Sequence, residues 1–445
     1  MRSPARALGV FIAAAAVLVI PAQSAHAGEH RPDAIHDFDC DGITDTVYDS
    51  AFADVGDVPE AGSVYIDYSD GGSVDIDQAS PGIPGTPEKW DMFGWTHTSF
   101  DDDGDGCDEL VVGAPGENDH AGMVFVIPGS PTGLRTAGTV AYNKNSPGVP
   151  RTAKAGDDFA WTLSAGRTVS SGSYLIVGAP NETVRGRTEA GAVYYLRGGT
   201  WRVVDQDTPG VTGAPEIFGN YGLALASSDR HFAVGAWQSG EGGTVTVFNH
   251  TIVDGAPDPL TTVTQDTAGI SGTAEYDDKF GFAVSVISYR PSASAPIGAL
   301  VAVGVPGEDL DGREDAGMAH ILAVTPAGKV TEVADVQQNT AGVTGTAETG
   351  DEFGGDVVLG VRDGAATATP TTAILATTAY REITDGEHLG AVQVFGSIRS
   401  PGDGDAWLPN GSGPWSSLAT TGTGLVLGMW GQFNDRELPW HSILA

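Results

Sequence analysis

The chain of 445 residues is long enough for two or three average domains, or for one large all-β domain. It contains 63 glycines and 26 prolines, and no run of residues has the period of a long amphipathic helix, so we expect turn-rich β structure. The formal net charge of −36 disfavours nucleic acid and anionic lipid as partners and favours bound cations. Acidity that only keeps the protein soluble is the alternative, and the placement of the carboxylates has to decide between the two.

The first 27 residues have the pattern of a secretory signal peptide. Arg2 and Arg6 form a short basic start, residues 7–20 are a continuous apolar run, and Ala25-His26-Ala27 is a small-x-small cleavage site before Gly28. The apolar run is shorter than a bilayer span, and no later segment approaches one. We therefore predict cleavage between Ala27 and Gly28, and a soluble protein that is secreted and has no membrane span.

A leading segment of about fifteen residues recurs along the chain and ends in an aromatic residue followed by a small one, as in Phe93-Gly94. Its clear copies are residues 80–94, 146–160, 208–222, 267–281 and 340–354, and a weaker copy runs from Ser400 to Trp415. The repetition predicts an array of similar units.

A second segment, a short apolar run closed by a tight turn, also recurs along the chain. A glycine and another strand-like run come shortly after most of its copies. Its copies are residues 110–117, 175–182, 232–239, 301–308, 374–381 and 425–432, with a degenerate first copy at 46–53. Seven units of about four short strands result, at approximately 36–93, 94–159, 160–221, 222–280, 281–353, 354–414 and 415–445.

One such unit is too small to bury its own apolar faces, so the units must pack against one another. Four-stranded meanders with glycine at the turns favour a propeller over a solenoid. We therefore predict a single all-β domain over residues 28–445, folded as a seven-bladed β-propeller. Unit 1 lacks a leading strand and unit 7 stops early, so we expect strands from both termini to close the ring.

Two acidic loops share one spacing. Their carboxylates stand at positions 1, 3, 5 and 9, with glycine at position 6 and a backbone carbonyl available at position 7: Asp37, Asp39, Asp41 and Asp45 in loop 1, and Asp101, Asp103, Asp105 and Glu109 in loop 2. Alternating hard oxygen donors around a glycine turn are what Ca²⁺ requires. An EF-hand is excluded because position 12, where it needs Glu, holds Tyr48 in loop 1 and Val112 in loop 2. A solvated acidic turn is the alternative.

The units resemble FG-GAP repeats, which build the N-terminal β-propeller of integrin alpha subunits and are common in secreted bacterial proteins. The resemblance rests on Phe93-Gly94, Phe280-Gly281 and Phe353-Gly354, and on Gly113-Ala114-Pro115 and Gly178-Ala179-Pro180. It implies two Ca²⁺ sites with ligands at loop positions 1, 3, 5, 7 and 9. The implied ligand sets are Asp37, Asp39, Asp41, the Ile43 carbonyl and Asp45, and Asp101, Asp103, Asp105, the Cys107 carbonyl and Glu109. Units 3 to 7 lack such a loop, and we expect them to bind no metal.

Cys40 and Cys107 are the only cysteines, and each lies in one of the two loops. An even cysteine count in an exported chain predicts a disulfide. Two free thiols that are too far apart to pair are the alternative.

Known catalytic motifs are missing from the sequence, which contains no G-x-S-x-G, H-E-x-x-H or P-loop pattern. We therefore lean towards a non-catalytic binding or adhesion module, a monomer whose ligand is an unknown extracellular protein or glycan. The candidate ligand loops are residues 114–122, 179–191, 236–243, 305–317 and 379–388. A secreted phospholipase- or glycosidase-like hydrolase and a purely structural cell-surface protein stay open. The tryptophans, including Trp95, Trp161, Trp201, Trp237 and Trp430, are expected to pack rather than to bind sugars.

Overall fold

The chain folds into seven consecutive antiparallel β-sheets, which form the blades of a propeller. A computed structural model describes residues 36–170, 172–384, 387–388, 390–409, 417–421, 424–429 and 432–444. The predicted signal peptide, with Ala27 and Gly28, lies outside these residues, as do Trp415 and Trp430. No helix in the described ranges is long and apolar enough to cross a bilayer.

Blades 1 to 4 are formed as follows. Blade 1 contains β1 (Thr46–Ser50), β2 (Ser63–Asp67) and β3 (Ser73–Asp77); blade 2 contains β4 (Thr96–Phe100), β5 (Glu109–Ala114), β6 (Met123–Ile127) and β7 (Val140–Tyr142). Blade 3 contains β8 (Leu163–Arg167), β9 (Ser173–Ala179), β10 (Ala192–Arg197) and β11 (Thr200–Val204); blade 4 contains β12 (Ala224–Ser227), β13 (His231–Ala236), β14 (Thr244–Val253) and β15 (Ala256–Val263).

Blades 5 to 7 complete the array. Blade 5 contains β16 (Val284–Tyr289), β17 (Gly298–Val305), β18 (Met318–Val324) and β19 (Val330–Val336). Blade 6 contains β20 (Phe353–Val361), β21 (Ala373–Ala379), β24 (Ala391–Phe395) and β25 (Ala406–Pro409), and the short strands β22 (Ile383–Thr384) and β23 (Glu387–His388) pair separately. Blade 7 contains β26 (Ser417–Thr421), β27 (Gly424–Met429) and β28 (Gln432–Pro439). Two four-residue helical turns, α1 (Glu117–His120) and α2 (Trp440–Ile443), are the helical elements of the described chain.

Each blade is a meander in which neighbours in the chain are neighbours in the sheet. This confirms the all-β class and the seven blades predicted from the repeats. Five sheets have four strands, whereas the first and last have three among the described residues. Among the described residues, blade 1 has no counterpart of the first strand of the other blades, because β1 aligns with their second strand. No described strand pairs the first sheet with the last, so ring closure by strands from both termini stays a prediction.

The apolar cores lie between blades rather than within them. Blades 1 and 2 share a cluster that includes Phe38, Val64, Phe93 and Phe125, all fully buried. Further clusters of the same kind lie between each following pair of blades up to blades 6 and 7. Several of the strands that form them are buried on both faces; β17, for example, is buried at all eight positions. The hydrophobic contribution to stability therefore depends on blade-to-blade packing.

The repeated glycine and aromatic residues meet at these junctions. The glycine that begins the third strand of one blade lies against the backbone of the aromatic residue that ends the next leading segment. For Gly122, an added Cβ would lie 1.9 Å from the carbonyl oxygen of Phe159. The equivalent pairs are Gly62 with Phe93, Gly191 with Tyr221, Gly243 with Phe280, and Gly317 with Phe353. All five aromatic residues are fully buried, so the repeat motif encodes the blade junction.

We predict that Gly122→Ala severely destabilises the protein, because the new methyl group overlaps the Phe159 carbonyl. Gly186→Ala is the matched control: Gly186 has a similar φ of +78°, but nothing lies within 4 Å of its added Cβ. The control should lose about 1–2 kcal/mol from backbone strain alone. Thermal melts of the two variants would contradict this account of the junction if their losses were equal.

Candidate metal centre

Both acidic loops lie on one face of the propeller. Loop 2 (residues 101–109) connects the first strand of blade 2 to the second, and loop 1 (residues 37–45) leads into the equivalent second strand of blade 1. In a meander, the connections from strand 1 to strand 2 all emerge at the same end of the blades. We call this end the metal-loop face.

In loop 1 the structure brings three carboxylates together. Asp37, Asp39 and Asp45 each offer an oxygen, and these atoms lie within 4.8 Å of one another. The fourth predicted carboxylate, Asp41, lies outside this group and accepts hydrogen bonds from the N–H of Ile43 at 2.7 Å and the hydroxyl of Ser69 at 2.7 Å. Loop 1 therefore has an all-oxygen donor set, three of whose four side chains are already convergent.

The conformation of loop 1 is held by backbone N–H groups that donate to the same carboxylates. Asp37 accepts hydrogen bonds from the N–H groups of Asp41 at 3.0 Å and Gly42 at 2.8 Å. Asp45 accepts from those of Phe38 at 2.8 Å and Ser69 at 2.9 Å. Gly42 has a φ of +83°, which permits the sharp turn at position 6.

Loop 2 has the same design with a different set of convergent side chains. Asp101, Asp103 and Asp105 offer oxygens within 4.8 Å of one another, while Glu109 lies outside that group and accepts a hydrogen bond from the N–H of Asp102 at 2.6 Å. The N–H of Cys107 donates to Asp105 at 2.9 Å. Three of the four predicted carboxylates therefore converge in each loop.

The buried carboxylates are poorly compensated by the protein alone. Burial, assisted by the other carboxylates of each loop, raises the pKa of Asp45 to about 6 and the pKa of Glu109 to about 8. Burial likewise raises the pKa of Asp37 and of Asp101. A divalent cation would compensate this negative charge, and the oxygen-only donor sets suit a hard ion.

One residue at loop 2 could not be identified from the sequence. The guanidinium of Arg167, at the end of β8 in blade 3, donates to the Asp101 carboxylate at 2.9 Å and to the Asp101 carbonyl at 3.1 Å. It lies 66 residues away in the chain, and no local pattern marks it. Loop 2 therefore has a basic neighbour, and it contacts blade 3 as well as blade 2.

The two loops are joined to each other. Cys40 and Cys107 form a disulfide, which confirms the pairing predicted from the cysteine count. The N–H of Asp108 donates to the Asp37 carbonyl at 2.8 Å, and the Asp108 carboxylate accepts from the N–H of His36 at 2.9 Å. The first two blades are thus cross-linked covalently and by hydrogen bonds at the candidate metal centre.

We predict that the double variant Cys40→Ser/Cys107→Ser loses about 4 kcal/mol of unfolding free energy, because the disulfide closes a loop with a sequence separation of 67. Denaturant titration measures the loss. The single variants are the controls, and each should lose as much as the double variant. Unchanged stability would contradict a stabilising cross-link.

The candidate ligand loops lie on the opposite face. Each connects the second strand of a blade to the third: β5 to β6, β9 to β10, β13 to β14, β17 to β18, and β21 to β24. The leading segments reach the same face, because they run from the outer strand of one blade to the first strand of the next. We call this end the ligand-loop face; residues 385 and 386 of the last loop lie outside the described residues.

Aromatic side chains are exposed on the ligand-loop face. The leading segments present Trp90, Phe218 and Tyr276, with exposed fractions of 44%, 50% and 85%. A cavity of about 360 Å³ lies at blade 3, where Arg151 and Arg185 face Asp205 and Asp207. Exposed aromatic groups are enriched where proteins bind partners.

Four of the described tryptophans, Trp95, Trp161, Trp201 and Trp237, pack against other aromatic rings as predicted. Trp95 and Trp161 contact each other with ring centroids 4.6 Å apart, and Trp237 contacts Phe282 edge to face. Trp201 is buried between Tyr142 and Phe159. These ring contacts join residues of neighbouring blades.

The seven consecutive antiparallel sheets make this fold a seven-bladed β-propeller. Within it, residues 101–127, which span loop 2, β5 and β6, match the model of the FG-GAP repeat, and the chain therefore carries an FG-GAP repeat in blade 2. No curated protein matches the chain at a significant level.

Two solved structures are similar in overall shape. The structure of the Dos1 propeller aligns at 12% sequence identity with a TM-score of 0.42, covering 83% of this chain and 70% of that one. The crystal structure of Sqt1 from Saccharomyces cerevisiae aligns at 10% identity with a TM-score of 0.36, covering 74% of this chain and 81% of that one.

Proposed function

We propose that this protein is a secreted, non-catalytic binding module whose propeller is stabilised by two calcium ions. The observation that carries the proposal is the pair of convergent, partly buried carboxylate groups in two cross-linked loops. The predicted signal peptide and the disulfide support an extracellular location, where calcium is abundant enough for sites of roughly 0.1–1 mM affinity.

In this proposal calcium has a structural role. Asp37, Asp39 and Asp45 would hold one ion, and Asp101, Asp103 and Asp105 the other, with Asp41, Glu109 and the carbonyls of Ile43 and Cys107 as the remaining ligands. The ion supplies positive charge that offsets the mutual repulsion of the carboxylates. The loops would then fasten blade 1 to blade 2, and through Arg167 blade 2 to blade 3.

The ligand would bind the ligand-loop face. The two faces are separate, so calcium would support ligand binding by stabilising the scaffold and would not bridge protein and ligand. The exposed aromatic residues of the leading segments favour a protein or glycan surface with apolar groups.

We predict that a chelator lowers the melting temperature, and that Asp105→Ala lowers it in calcium and weakens the response to the chelator. Removing one of three convergent carboxylates leaves too few ligands for Ca²⁺. Asp57→Ala is the matched control, because Asp57 is an exposed loop aspartate outside both acidic loops. A melt that is identical in calcium and in excess chelator would overturn structural calcium.

We predict that the triple variant Trp90→Ala/Phe218→Ala/Tyr276→Ala abolishes binding to the ligand that a glycan and extracellular-protein array identifies. Its melting temperature should stay close to that of the wild type, because all three side chains are exposed. Val253→Ala is the control: Val253 is 46% exposed at the end of β14, on the metal-loop face. Full binding by the triple variant would exclude this face, and hydrolysis of a phospholipid or glycan on the array would replace the binding module with a hydrolase.

A further inference from the structure

Five successive blade junctions reuse one polar contact. A side chain just after the outer strand of one blade reaches the loop that follows the second strand of the next blade. The contacts are Gln78 with Glu117, Lys144 with Glu182, Gln206 with Ser239, Gln265 with Glu308, and Gln338 with Glu382. In the first of these contacts, the side-chain amide of Gln78 donates to the Glu117 carboxylate at 2.6 Å, and both residues are at least 95% buried.

A second acid stands at an equivalent position of the leading segment at four of the five junctions. It lies in the leading segment and accepts a hydrogen bond from the N–H three residues earlier; Asp91, for example, accepts from the N–H of Glu88 at 2.6 Å. The equivalent acids are Asp157, Asp278 and Asp351. Four junctions therefore have carboxyl groups at two equivalent positions, one in the leading segment and one in the following loop.

The remaining junction, between blades 3 and 4, has neither of the two acids. Between blades 3 and 4 the leading segment has Gly219 in place of the aspartate, and the following loop has Ser239 in place of the glutamate. Gln206 donates to the Ser239 hydroxyl at 2.8 Å, so the contact persists without charge. The carboxyl pair is thus a unit that this junction does without.

The junction between blades 2 and 3 compensates its pair with a lysine. Lys144 lies 2.6 Å from Asp157 and 3.0 Å from Glu182, and all three side chains are at least 96% buried. Arg151 adds a second positive charge at 2.9 Å from Glu182. The other three pairs have glutamine where this junction has lysine, and glutamine carries no charge.

At the junction between blades 1 and 2 the two acids contact each other. The carboxyl groups of Asp91 and Glu117 lie within hydrogen-bonding reach of each other, and both residues are buried. Two carboxyl groups can form a hydrogen bond only when one of them is protonated. Glu88 is the other charged group that faces the pair, and it is also acidic. We propose that Asp91 and Glu117 form a proton-binding site that holds one shared proton at mildly acidic pH, in place of the charge that Lys144 supplies at the next junction.

The electrostatics of the pair agree with this proposal. Burial, followed by the charges of Glu117 and Glu88, raises the pKa of Asp91 to about 7, and burial raises the pKa of Glu117. The two groups titrate as a pair, so one proton is shared between them. The folded state then binds more protons than the unfolded state between about pH 4 and about pH 7, and the stabilisation that the proton supplies is lost as the pH rises through that window.

Two further junctions have the same composition. Asp278 and Glu308 are faced by Glu275, Asp309 and His320, and burial raises the pKa of Asp278 to about 7. Asp351 and Glu382 lie near Glu348, and burial raises the pKa of Glu382. The Asp278–Glu308 pair extends the proposal to a second junction.

The test transfers lysine between junctions. Gln78→Lys should raise the melting temperature by about 2 °C at about pH 8, where the proton is lost, and by less at about pH 5, where lysine competes with the proton. Gln206→Lys is the matched control, because its junction has no acid pair; a buried unpaired charge should lower the melting temperature at both pH values. All samples contain the same calcium concentration. Each variant is compared with wild type at the same pH, so that any effect of pH on the acidic loops is common to both and cancels.

A Gln78→Lys variant that is destabilised to the same extent as Gln206→Lys, or whose effect is equal at the two pH values, overturns the proposal. Glu117→Gln covers the case in which the lysine does not fit. This isosteric amide can still accept a hydrogen bond from Gln78 and can donate one to Asp91. The change in melting temperature from wild type should therefore be more favourable at about pH 8 than at about pH 5. Equal losses for Glu117→Gln at both pH values would also refute a shared proton.

Discussion

The packing of each blade against the next is the constraint on which the rest of the structure depends. A glycine without a side chain allows the backbone of one blade to approach the aromatic residue of the next, as Gly122 approaches Phe159. The apolar clusters lie at these same interfaces, so a single blade has no core of its own. Stability, and with it the position of every loop, is therefore a property of the array.

The polar groups reinforce the same interfaces in different ways. Between blades 1 and 2 a disulfide and two acidic loops lie on one face, and the Asp91–Glu117 pair lies towards the other. Between blades 2 and 3 a buried lysine replaces the proton, and Arg167 reaches back to loop 2. The backbone of the junction therefore repeats, while the groups that compensate buried charge differ from one junction to the next.

The meander topology separates two roles in space. Connections from strand 1 to strand 2 and connections from strand 2 to strand 3 must emerge at opposite ends of a blade. The acidic loops consequently lie on one face of the first two blades, while the candidate ligand loops and the exposed aromatic residues lie on the other. An ion bound at the acidic loops, as proposed above, would stabilise the proposed binding surface only through the rigidity of the blades between them.

The sequence by itself determined the number of units, the all-β class, the two acidic loops and the pairing of the only two cysteines, because each of these depends on local spacing or on a repeated pattern. Only the tertiary structure decided which carboxylates converge: Asp41 and Glu109 match the spacing yet lie outside the convergent groups. The contact of Arg167 with Asp101 was also beyond sequence reasoning because the two residues lie in different blades. The same holds for Asp91 and Glu117, which are on separate loops of the chain. Long-range contacts between polar groups depend on how rigid blades pack, and a single sequence carries no local signal for them.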